Sequence, residues 1–76
     1  MNKERRRELS KIVGELKALK ERVEAVMNEE QYGFDNLSEG LQQTMRGEAM
    51  EEAVSNLESA IESIDEAIDA IEEASM

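Results

Sequence analysis

The sequence predicts an all-α protein: an antiparallel helical hairpin with a structured connecting loop, self-associating into a bundle, most simply a four-helix dimer. Three observations predict it. Apolar residues recur in alternating steps of three and four along two long segments. Proline is absent, and three of the four glycines lie together between Gln31 and Gly47. Charge is divided so unevenly between the two segments that only opposite chain directions bring unlike ends together. A chain of 76 residues makes one domain, 1–76.

The first helix is expected over about 3–32. Leu9, Ile12, Leu16, Leu19, Val23 and Val26 form a heptad seam, with Leu9, Leu16 and Val23 at a and Ile12, Leu19 and Val26 at d. Val13 and Met27 widen it to one side. Gly14 is a weak helix former within it and is read as a point of close approach rather than a break.

The connecting segment, about 33–44, holds Asp35 and Asn36, which favour a turn, and Ser38, which suits the cap of a short helical turn through Leu41. It is longer than the ~2–8 residues usual between antiparallel helices. Tyr32, Phe34, Leu37 and Leu41 point to an apolar cap folded over the end of the bundle.

The second helix is expected over about 45–74, with Thr44 as its N-cap. Met50, Val54, Leu57, Ile61, Ile64, Ile68 and Ile71 continue the three-four step, and Ala53, Ala60, Ala67 and Ala74 repeat every seven residues beside them. The stripe is wider than one neighbouring helix covers, and its alanine edge admits a helix at close range. One neighbour is the first helix; the second is expected to be another copy of the chain, meeting it through Ala53, Ala60, Ile61, Ala67 and Ile68.

Residues 1–32 carry eight basic and seven acidic groups, whereas residues 33–76 carry Arg46 alone against twelve acids. Arg5, Arg6 and Arg7 oppose the dipole at a helix N-terminus, as Asp69, Glu72 and Glu73 do at a C-terminus. An antiparallel pair is expected to join these ends and match their charges.

Composition narrows the function classes. No Cys and no His removes disulfides, thiolate and imidazole metal ligands, and the usual nucleophile–base pairs. The protein is expected not to be an enzyme and to need no cofactor. A net charge of -10 disfavours DNA, RNA and anionic membrane as direct partners. No signal peptide and no apolar run of membrane-spanning length is legible, so a cytoplasmic location is expected. The segment from Asp35 to Arg46 resembles a calcium loop only at Gly40: Leu37 occupies a ligand position and Arg46 stands where the bidentate Glu belongs.

Two candidate sites remain. Glu58, Glu62, Asp65, Glu66 and Asp69 form a carboxylate row on the second helix. It reads as a docking face for a basic protein surface, with nucleic-acid mimicry as its sharp form and a solubilising face as the plain alternative. Tyr32, Phe34 and Arg46 would stack on a nucleotide ring and hold its phosphate, the plain alternative being the end-plug described above.

The stretch "FDNLSEGLQQTMRGEAMEEAVSNLESAIESIDEAI", together with "NKERRRELSKIVGELKALKERVEAVMNEEQ", resembles a group of small acidic proteins encoded by phages and integrative elements of Firmicutes. The distinctive part is "FDNL" and "EGLQ" followed by "RGEAMEEA"; members often carry Pro where this chain has Ser38. The resemblance implies an accessory protein of a phage or mobile element that antagonises bacterial immunity in the host cytoplasm. Such antagonists bind a basic defence protein stoichiometrically, or act as oligomeric sponges for a nucleotide signal. A purely structural assembly adaptor is the third reading of the residues.

Overall fold

A computed structural model describes residues 1–76. The chain is all-helical, with α1 over Lys3–Asp35, α2 over Glu39–Gln42 and α3 over Met45–Ala74, and no strand. Two long helices pack side by side along most of their length. The pair measures 58 × 15 × 12 Å, and its radius of gyration is 17.2 Å. A compact domain of this length would have about 11 Å.

Each helix starts where a side-chain acceptor is available. The Asn2 carboxamide oxygen accepts from the Arg5 backbone N–H at 2.8 Å. The Ser38 hydroxyl accepts from Leu41 N–H, and the Thr44 hydroxyl accepts from Gly47 N–H while donating to the Leu41 carbonyl. One hydroxyl therefore ties the end of α2 to the start of α3.

Helix α1 runs three residues beyond the predicted end at 32. A side-chain hydrogen bond from Gln31 to Asp35, 2.9 Å, spans its last turn. Asn36 closes it by donating its side-chain N–H to the Tyr32 carbonyl at 2.8 Å. The glycines of the connecting segment do not act as flexible turn residues, because none has a positive φ. Gly33 instead makes room: a Cβ there would lie 3.0 Å from the Met50 methyl. Gly47 is buried against the backbone of Gln42. Gly14, expected at a close approach, faces open space.

Residues near Gly33 meet Met50, Lys20 meets Asp65, and Ser10 and Val13 lie beside Glu72 and Ser75. Numbers fall along α1 as they rise along α3. Val13, Val54 and Ile68 form the buried apolar core. Leu9, Ile12, Leu16, Val23 and Met27 of α1, and Met50, Leu57, Ile61, Ile64 and Ile71 of α3, are half-buried around it. Thus α1 meets α3 through its a positions and through 13, 20 and 27, with Ile12 the one d position that is half-buried. Leu19 and Val26, expected in the seam, are 46% and 55% exposed. The cause is visible in the sequence pattern once the partner is known. The apolar stripe of α1 is wider than α3 can cover, and the rotation adopted places Lys20 beside Asp65.

The connecting segment does not form the predicted aromatic plug. Phe34 and Leu37 are half-buried, but Tyr32 is 72% exposed and Leu41 is exposed. No helix is long and apolar enough to cross a membrane.

Candidate protein-binding faces

The acidic row lies on α3, one turn after another. Glu58, Glu62, Glu66 and Asp69 are exposed. Glu62, Glu66 and Asp69 follow at intervals of four and three, which keeps their carboxylates on one outward side. They are spaced along the helix rather than gathered, and no three acids come together as metal ligands would.

Asp65 differs from the other four. Its carboxylate accepts a charge-assisted hydrogen bond from Lys20 Nζ at 2.8 Å, and Glu24 stands 3.7 Å from the same ammonium. The bond from Asp65 raises the Lys20 pKa above its usual 10.5, against a smaller opposing effect of desolvation. Asp65 is therefore engaged within the helix pair.

Lys20 is the only one of the nine Lys and Arg residues to form an ion pair within the chain. The expected pairing of Arg5, Arg6 and Arg7 with Asp69, Glu72 and Glu73 does not form. The register explains why. Ser75 lies level with about Ser10, so the first turns of α1 overhang the end of α3 by roughly 10 Å, at 1.5 Å per residue. Arg6 alone reaches back, sharing the wall of an open notch with Glu72.

The predicted nucleotide residues are not gathered into a cavity. Tyr32 and Phe34 stand two places apart on one helix and so leave it on nearly opposite sides. Arg46 is exposed on the first turn of α3, and none of the three lines any groove of the chain.

Of the residues expected between copies, Ile68 is 5% exposed and belongs to the core of the helix pair, and Ile61 is half-buried beside Met27. Ile68 is spent within the chain, and Ile61 is turned toward the other helix. Ala60 and Ala67 are exposed and Ala53 is half-buried. The free apolar surface lies elsewhere: Leu19, Val23 and Val26 of α1 form a shallow groove with Leu57 of α3. Heptad spacing puts Ile12 in line with Leu19 and Val26, and Ile64 and Ile71 in line with Leu57. The opposite side of the pair is charged, with Lys17, Lys20, Glu21, Glu24, Asp65 and Asp69 along one groove.

No protein-family model, curated protein or solved structure matches the chain. The resemblance drawn from "FDNL", "EGLQ" and "RGEAMEEA" rests on those motifs alone.

Sequence reasoning missed Gln42, which sits at the centre of the connecting segment. Its side-chain N–H groups donate to the carbonyls of Phe34 and Leu37, each at 3.2 Å. Nothing in the local pattern marks it, because both acceptors lie five to eight residues upstream.

Proposed function

We propose that the protein is a non-catalytic binder: an antiparallel helical hairpin that works as a self-associated bundle and docks the outer face of α3 on a basic protein surface. The observation that carries this reading is the exposed, uncompensated row Glu58, Glu62, Glu66 and Asp69, on a segment where Arg46 is the sole basic residue. Desolvating such a row is costly unless cations meet it, and a complementary basic surface supplies them and speeds encounter. Asp65 contributes through the field of the face, since its carboxylate holds Lys20. The motif resemblance supplies the setting: an accessory protein of a phage or mobile element that inhibits a bacterial defence protein by stoichiometric binding. The nucleotide-sponge reading gains no cavity from Tyr32, Phe34 and Arg46.

The test is expression of the chain in bacteria that each carry one defence system, scored by phage plaquing. The intact chain is expected to restore plaquing against one system. The triple variant Glu62→Lys, Glu66→Lys, Asp69→Lys is expected to lose that effect while keeping its helical circular dichroism. Full activity of the triple variant would sink electrostatic docking. Saturable thermal stabilisation by a cyclic nucleotide would move the reading to the sponge.

A further inference from the structure

We infer that the apolar side of the helix pair, formed by Ile12, Leu19 and Val26 of α1 and Leu57, Ile64 and Ile71 of α3, is the face that a second copy of this chain covers. This rests on the self-association proposed above and names its surface.

The first support is area. The chain exposes 5865 Å². A globular monomer of 8.6 kDa would expose about 4,700 Å². The excess, about 1,200 Å², exceeds the ~800 Å² that each partner buries in a standard stable interface. The pair has a second broad side, but that side is lined with charges and carries the Lys20–Asp65 bond. Covering it would desolvate those groups. The apolar side has no such cost, and Arg22 is the one charged residue lining its groove.

The second support is charge, and it favours a copy over a foreign partner. Helix α1 carries eight basic and eight acidic groups, for a net charge of 0, whereas α3 carries Arg46 against ten acids, for a net charge of -9. A two-fold contact is self-complementary, so whatever α1 touches on the copy is touched in return. Setting α1 of one copy on α3 of the other brings eight basic groups to each acidic helix and does so twice. It also offers acids to Arg5, Arg6 and Arg7, which find no partner within their own chain. Setting α3 on α3 would bring like charge to like.

The third support is room. Ala60 and Ala67 flank the row on α3 and are exposed, so their small side chains let a helix of the copy come close there. In this arrangement Ile61 and Ile68 stay inside each pair, and the contact between copies moves one heptad position, onto Leu57, Ile64 and Ile71.

The experiment uses the full chain, which lacks cysteine, so a single introduced thiol reports cleanly. Sedimentation velocity is expected to give a particle of two or more copies at micromolar concentration. The double variant Leu19→Glu, Val26→Glu should weaken association on the order of 100-fold, as burying an unpaired charge at an interface centre does. Ser55→Glu, exposed on the acidic side of α3, should leave it unchanged. If the double variant fails to fold, thiol labelling decides. Val26→Cys nearly preserves the side chain, and in the assembly it should label at least about 10-fold more slowly than Ser55→Cys, recovering on dilution. A multimer in which Val26→Cys labels as fast as Ser55→Cys overturns the face and leaves self-association standing. A folded monomer at every concentration overturns both.

Discussion

Gly47 and Gly14 look alike in the sequence, each a weak residue inside a helix, and their surroundings give them opposite roles. A Cβ on Gly47 would collide with the backbone of Gln42 and lie 2.7 Å from its Cα. Backbone cannot step aside as a flexible side chain can, so either α2 moves or α3 loses its first turn. Gly47→Ala is expected to cost about 1–3 kcal/mol, the range for overpacking a tight site. A Cβ on Gly14 meets nothing within 4 Å. There only the helix propensity changes, and Gly14→Ala is expected to stabilise by about 0.5–1 kcal/mol. Thermal unfolding of the two variants side by side checks the contrast. A neutral Gly47→Ala would show that the α2–α3 junction is looser than its geometry implies. The same scale separates the acids of α3. The i, i+4 spacing made the row legible, but the engagement of Asp65 depends on Lys20, 45 residues away in sequence.

At the scale of elements, the connecting segment is held by polar groups rather than by an apolar plug. Gln42 donates to two carbonyls near the end of α1, and Thr44 joins α2 to α3. Gln42→Ala leaves the Leu37 carbonyl without its donor, at an expected cost of about 1–2 kcal/mol. Gln42→Glu should be worse than Gln42→Ala despite its closer shape, since a carboxylate would set acceptors against acceptors. Denaturant unfolding ranks the variants, and the reverse order would show that Gln42 acts by filling space. These bonds also show where sequence reading stops. Caps at Ser38 and Thr44 were legible because a hydroxyl and its acceptor role lie within three residues. The extension of α1 to Asp35 was not, because Gly33 reads as a turn residue until Met50 is known to lie against it. The rotation of α1 was not legible either. Its apolar stripe fits two adjacent seams, and the choice between them is made by α3.

For the whole molecule, the thin core makes stability a question of concentration. Only Val13, Val54 and Ile68 are buried apolar side chains, and the pair is 58 Å long but 15 Å wide. A helix pair of this shape has little interior, and chains this small commonly rely on oligomerisation where disulfides and metals are absent. If copies dissociate as they unfold, mass action adds stability with each increase in protein concentration. For a two-copy particle, a tenfold increase adds about 0.7 kcal/mol per chain, half of the ~1.4 kcal/mol that a factor of ten represents. In a domain of this size that corresponds to a rise in Tm of about 3–5 °C. Circular dichroism melts at micromolar and tens-of-micromolar chain concentration should show that rise, and the Leu19→Glu, Val26→Glu variant should not. A midpoint independent of concentration in the unmodified chain would mean that one pair of helices carries its own stability, and the apolar side would then be free for a partner other than a second copy.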